Sequence, residues 1–161
     1  RDGNQILNSL NIKMIQIECS RYYCLFLTDK GTVYYLKDET FIKLSLNNII
    51  QIGCSYGTGY GLNENGKLHS FGSNKYGLLG IGISNESDND NDIHVIKCKS
   101  KITQISCGFY HTGFITDNNQ IYMFGSNASN QCGNDLWIIN KPSKLNHPLN
   151  DDIIYSLKCG G

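Results

Sequence analysis

Alanine is almost absent from this 161-residue chain, with Ala128 the single example, while glycine occurs 17 times and tyrosine 10 times. A helical bundle uses far more Ala and far less Gly, so the balance points to strands and turns. Charge is scarce as well: 14 Lys and Arg offset 14 Asp and Glu, and charged residues make up 17%. Zero net charge argues against a protein built mainly to hold nucleic acid or an anionic membrane. Long apolar runs are missing. The longest, Tyr22-Tyr23-Cys24-Leu25-Phe26-Leu27, falls far short of the roughly 20 residues a membrane-spanning helix needs. The first residues, Arg1-Asp2-Gly3-Asn4-Gln5, carry no apolar signal segment and no initiator Met, which reads as a cut from something longer. Seven cysteines form no Cys-x-x-Cys pair. That excludes an evenly paired disulfide scaffold and a tightly spaced zinc site, and implies reduced thiols in an intracellular compartment, cytoplasmic or nuclear. No cofactor and no metal is expected.

What is present is repetition. Ile15-Gln16-Ile17-Glu18-Cys19-Ser20 returns as Ile50-Gln51-Ile52-Gly53-Cys54-Ser55, as Thr103-Gln104-Ile105-Ser106-Cys107-Gly108, and as Tyr155-Ser156-Leu157-Lys158-Cys159-Gly160. The four Cys stand 35, 53 and 52 residues apart. A unit of roughly 50 residues is the mark of a propeller or another stacked repeat. Gly31, Gly66 and Asn119 fall at one repeat position. These residue types tolerate a left-handed backbone, so a tight hairpin turn is predicted there. Val33 to Leu36, Leu68 to Phe71 and Ile121 to Phe124 follow as short aromatic and β-branched strands. Period-two alternation puts Ile15, Ile17 and Cys19 on one buried face, with Ile50, Ile52 and Cys54 repeating it. A fourth strand per unit is expected near Phe41 to Leu46, Ile93 to Cys98 and Leu136 to Leu145.

The fold class is therefore all-β: antiparallel four-stranded blades of a β-propeller, about three of them present. The expected organisation is a lead-in segment 1–13, a shortened repeat 14–48, repeat 49–101 with a polar loop 84–92, repeat 102–152, and the start of a fourth at 153–161.

The best-kept repeat runs Ile102 to Gly108, His111-Thr112, Ile121 to Asn127 and Gln131-Cys132-Gly133; the second keeps Phe71-Gly72-Ser73-Asn74-Lys75-Tyr76-Gly77-Leu78-Leu79-Gly80. This pattern resembles the regulator of chromosome condensation repeat over about residues 14 to 161. The resemblance implies a seven-bladed propeller in complete members, which at this period takes about 350 residues. Three units and a stub do not close such a ring, so the remaining blades, or another chain, are expected partners at both ends. The first repeat departs from the pattern, with Lys37-Asp38-Glu39 in place of the Gly-x-Asn loop, and the second has Thr58 where the family has His.

Chemistry is sparse. The repeat Cys reads as one small buried side chain per blade, and His111 as a blade-linking imidazole. Asp88, Asp90 and Asp92 imitate half a calcium loop, but Ile93 replaces its Gly and Lys99 its closing Glu. No catalytic residue is expected. The aromatic residues after each repeat Cys stand out: Tyr22, Tyr23, Tyr56, Phe109 and Tyr110. Equivalent propeller loops project from one face, where aromatics serve as anchors for a protein. The expectation is a non-catalytic protein-interaction scaffold. The alternative that the resemblance implies is a guanine-nucleotide exchange factor for a Ran-type small GTPase, or a chromatin-associated regulator.

Overall fold

A computed structural model describes residues 12–37, 39–83, 90–146 and 153–160. Three antiparallel four-stranded sheets follow one another. The first holds β1 (Met14–Cys19), β2 (Cys24–Thr28), β3 (Val33–Lys37) and β4 (Thr40–Lys43). The second holds β5 (Ile49–Ser55), β6 (Thr58–Asn63), β7 (Leu68–Gly72) and β8 (Asp90–Val95). The third holds β9 (Ile102–Cys107), β10 (His111–Thr116), β11 (Ile121–Ser126) and β12 (Ile138–Lys144). Within each sheet the strands are neighbours in chain order, the meander of a propeller blade. The fourth strands overlap the stretches expected from the sequence, but β8 starts three residues before Ile93 and ends at Val95, short of Cys98, and β4 ends at Lys43, short of Leu46. The calcium-like residues Asp90 and Asp92 belong to β8, with Asp90 paired to Gly72, while 84–89 lie outside the described residues. Residues 1–11 and 147–152, parts of the expected lead-in and third repeat, lie outside them too.

The turns between second and third strands close as the Gly and Asn positions require. Gly31, Gly66 and Asn119 have φ of 71°, 75° and 60°, and their N–H groups donate to Thr28, Asn63 and Thr116 carbonyls at 3.0, 2.9 and 2.9 Å.

Hydrophobic cores lie between the sheets. Leu25, Leu27 and Val33 of the first sheet pack with Ile49, Ile52 and Phe71 of the second. Tyr60, Leu62 and Leu68 of the second pack with Ile102, Ile105, Phe114 and Phe124. Tyr60 is fully buried and its hydroxyl donates to the Leu78 carbonyl at 2.6 Å.

The simple alternation on the first strand of each blade needs correction. A register shift recurs at the same place in all three: between Met14 and Gln16, between Ile49 and Gln51, and opposite Ile102 to Gln104. Such a bulge adds one residue and re-aims the side chains beyond it. Ile50 is turned outward and 54% exposed, whereas Ile49 and Ile52 are buried. In the first blade Ile15 and Ile17 are 54% and 56% exposed.

The bulge also aims a glutamine at the next blade. Gln16 Nε2 donates to the Ile52 carbonyl and its Oε1 accepts from Ile52 N–H, both at 2.9 Å. Gln51 does the same with Ile105, again at 2.9 Å twice. Gln104 Oε1 accepts from Leu157 N–H at 2.8 Å, so the 153–160 segment takes the same place beside β9. Each carboxamide imitates a peptide unit and satisfies the outward edge of the next strand, groups that are costly to bury unpaired. His111 makes a smaller contribution than the sequence suggests. Near it the blades are joined by the Ser55 and Thr112 hydroxyls at 2.9 Å, and by Ser55 Oγ donating to the His111 carbonyl at 3.5 Å.

Candidate functional site

The loops β1–β2, β5–β6 and β9–β10 occupy equivalent positions at one end of successive blades. Four of the five predicted aromatics meet there, with Tyr56 at the centre. Its ring centroid lies 5.7 Å from Tyr22, 5.6 Å from Phe109 and 5.1 Å from Tyr110. Phe109 and Tyr110 stand edge-to-face at 4.5 Å. The Tyr22 hydroxyl donates to that of Tyr56 at 3.1 Å, and Tyr56 N–H donates to the Phe109 carbonyl at 2.9 Å. Such offset and edge-on pairs are favourable beyond the area they bury.

Tyr23 parts company with the others. Its side chain turns between the first two blades, edge-on to Tyr35, and its hydroxyl donates to the Gly57 carbonyl at 3.3 Å. Burial pushes its phenol pKa far above the ordinary value. Alternation explains the split: Tyr22 is the tip of the turn, and Tyr23 begins the descent into β2.

Three members of the cluster escaped the sequence reading. Tyr76 stands in the short 3-10 turn Lys75–Gly77 at a positive φ of 61°, with its ring 4.7 Å from Tyr110 and 6.4 Å from Tyr56. Arg21 places its guanidinium 5.5 Å from the Tyr56 centroid and 5.8 Å from Tyr22, and Nη1 donates to the Tyr56 hydroxyl at 3.4 Å. Lys75 Nζ lies 5.7 Å from Tyr56 and 5.8 Å from Tyr76. Each cation–π contact at an exposed site is worth about 0.5–1 kcal/mol. The available signal was adjacency, since Arg21 precedes Tyr22 and Lys75 precedes Tyr76, but which loops converge is a property of the fold. Tyr22 and Phe109 are the outward members, 54% and 45% exposed, whereas Tyr56, Tyr76 and Tyr110 are half-buried supports.

A second apolar tip stands on the β11–β12 loop, where Leu136 and Trp137 are 61% and 77% exposed. Asn127 holds that loop, its Nδ2 donating to the carbonyls of Asn134 and Leu136 and its Oδ1 accepting from Cys132 N–H at 2.8 Å. Asn74 makes the equivalent bonds in the second blade, to the Ile83 carbonyl and from Leu79 N–H.

The repeat cysteines stand one per blade. Burial raises the thiol pKa of Cys54, Cys107 and Cys159, and successive ones are near enough for Cys107 and Cys19 to add to the shift of Cys54. The Cys54 thiol donates to the Glu18 carbonyl of the preceding blade at 3.7 Å. Among the described residues no group of three His, Cys, Asp or Glu could hold a metal ion, and no helix is long and apolar enough to cross a membrane.

Comparison with known proteins agrees with this architecture. One family model of the regulator of chromosome condensation (RCC1) repeat matches residues 49–78 and 102–131, and a second matches 65–115; together they run over just more than half of the chain. Human HERC3, a probable E3 ubiquitin-protein ligase, is 24% identical over 81% of this chain and 14% of its own length. Human HERC2, an E3 ubiquitin-protein ligase, is 28% identical over 94% of this chain and 4% of its own. The chain thus spans only a small part of these relatives. Yeast RCC1 (Prp20), solved bound to Kap60, superposes with a TM-score of 0.73 at 17% identity, covering 93% of this chain and 40% of that one. The chain belongs to the regulator of chromosome condensation (RCC1) repeat family, and its three sheets are blades of a partial β-propeller of that type.

Proposed function

We propose that this region is a non-catalytic protein-interaction platform within a larger intracellular propeller, cytoplasmic or nuclear. The supporting observation is the aromatic cluster on one end of three rigid blades, with Tyr22 and Phe109 outermost and Arg21 and Lys75 lying against its rings. Rigid blades that hold several loops on one face suit recognition, and tyrosine and arginine are the residue types that dominate binding hot spots. The uncovered faces of β1 and of 153–160 are where further blades, or another chain, pack. Yeast RCC1, similar in fold, binds Kap60, a protein; fold alone does not transfer that partner.

The test is affinity capture with the native chain and with Tyr22→Ala plus Phe109→Ala, folding being followed by circular dichroism. The outward anchors should each contribute about 1–2 kcal/mol to partner binding, with the fold retained. Unchanged recovery of partner by the folded double variant would place the interface elsewhere. Accelerated GDP release from a Ran-type GTPase would instead favour an exchange factor.

A further inference from the structure

We propose that the end of the blades opposite the aromatic loops is a docking surface for an anionic lipid membrane. The chain as a whole is neutral, but its charges are unevenly placed. The turns from second to third strand, and the connections from one blade to the next, all emerge at that end. Lysines recur there at three stations. Lys13 and Lys101 stand just before first strands, Lys30 and Lys67 in hairpin turns, and Lys43 and Lys144 at the ends of fourth strands. Lys97 and Lys99 follow β8 in the connection to the third blade. All eight are exposed. The described acidic residues at this end are three, Asp29, Glu64 and Asp117, one in each turn, while Asp151 and Asp152 of the last connection lie outside the described residues. Elsewhere the described residues include five basic and five acidic ones. A neutral total thus coexists with one basic end, and it is the local field that a charged partner meets.

Main-chain bonds fix where these charges sit. Asp29 N–H donates to the Lys13 carbonyl at 2.9 Å and Asp117 N–H to the Lys101 carbonyl at 2.8 Å, so the residues before β1 and β9 lie against a turn. Ile96 N–H donates to the Leu68 carbonyl at 2.9 Å and holds the start of the stretch that carries Lys97 and Lys99. The residue types at this end select the occupant. The turns 28–32, 63–67 and 116–120 and the connections 44–48 and 96–101 contain no aromatic residue and no arginine. Single-stranded nucleic acid is held on aromatic platforms, and bidentate recognition of phosphate and guanine favours arginine. Lysine is a strongly hydrated point charge, suited to the diffuse field of an anionic leaflet, which strengthens binding about fivefold per lysine near the surface. Val95, 49% exposed at the end of β8 and two residues before Lys97, adds an apolar side chain for the headgroup layer. Docking by this end turns Tyr22 and Phe109 away from the lipid, so it does not depend on what the aromatic cluster binds.

The experiment measures sedimentation of the folded chain with vesicles of phosphatidylcholine alone, and of phosphatidylcholine with phosphatidylserine, at low and high salt. The chain should pellet with the charged vesicles only, and salt should release it. Lys97→Gln with Lys99→Gln should weaken binding about 25-fold, at about fivefold for each lysine. Lys37→Gln with Lys141→Gln removes the same charge away from that end and should change binding by less than about twofold, because the attraction falls off within a Debye length. Circular dichroism checks that each variant keeps the fold. Equal losses from the two pairs would overturn the proposal, since binding would then follow total charge and not its placement. So would equal pelleting with neutral vesicles, or none with charged ones. Tighter retention of a DNA duplex than of charged vesicles at the same phosphate concentration would overturn it in favour of nucleic acid.

Discussion

Replacing Gln51 with Leu tests whether the glutamine clamps hold the blades together. The side chain keeps its bulk and loses both bonds to Ile105, each 2.9 Å long. Two bonds at about 1 kcal/mol each set the lower bound. Ile105 is 3% exposed, so water reaches its freed N–H and carbonyl poorly, and the total rises to about 2–4 kcal/mol. For a chain of this size each kcal/mol moves the melting midpoint by about 2–4 °C, which gives a fall of about 5–15 °C. Thermal unfolding followed at the β-sheet circular dichroism band measures it, and hydrogen exchange at Ile105 N–H localises it. Gln16→Leu should cost a similar amount, since it frees the same two groups of Ile52. Gln51→Glu adds a sign. As the neutral acid, Glu both donates and accepts, so the clamp is intact. The carboxylate loses the donor and faces the Ile105 carbonyl, which raises the folded pKa above the ordinary value of about 4.3. The variant should therefore match the parent at low pH and lose stability as pH rises through that raised value. A Gln51→Leu midpoint within about 1 °C of the parent, with Ile105 still protected, would refute the reasoning, because it lies far below the loss of even one bond.

Tyr60→Phe removes one oxygen from a fully buried ring and leaves the Leu78 carbonyl without its 2.6 Å donor; about 1–3 kcal/mol of stability should be lost in urea titration. His69 and His111 have their pKa values lowered by burial, with Lys67 adding to the effect at His69. Above the ordinary value of about 6.5 both states hold these rings neutral, and below it the unfolded chain binds more protons. Stability should fall as pH drops from 7.5 to 5.5, and a His69→Gln, His111→Gln variant should show a shallower fall over the same range.

The repeat unit, the four-stranded blade and the hairpin turns were legible because each rests on a local signal that recurs. Gly31, Gly66 and Asn119 announce one turn three times over. The sequence was silent about the bulge: Ile50 and Ile52 look equivalent in a period-two reading, and the extra residue that separates them appears only when β5 is laid against β6. The same blindness hid the clamps. Gln16, Gln51 and Gln104 read as the solvent face of a strand, because a glutamine that pairs with the backbone of another blade leaves no complementary residue to detect. In the aromatic cluster, loop equivalence located Tyr22, Tyr56, Phe109 and Tyr110. It could not separate Tyr22 from Tyr23, whose neighbouring side chains point to opposite sides, nor bring in Tyr76, which reaches Tyr110 from a different loop.

The clamp has a giving side and a receiving side, and only the giving side is written in side chains. Gln51 must be a glutamine, but its grip at Ile105 is on a main-chain N–H and carbonyl that any residue except proline presents. Recognition between successive blades is thus blind to the identity of the residue received. A duplicated or transplanted unit needs no matching mutation in its neighbour to be accepted, so such a chain can grow, shrink or diverge one module at a time. The same asymmetry gives the row of modules an arrow: every joint runs from an earlier unit to a later one, and two front ends meeting would each offer an edge that neither could fill.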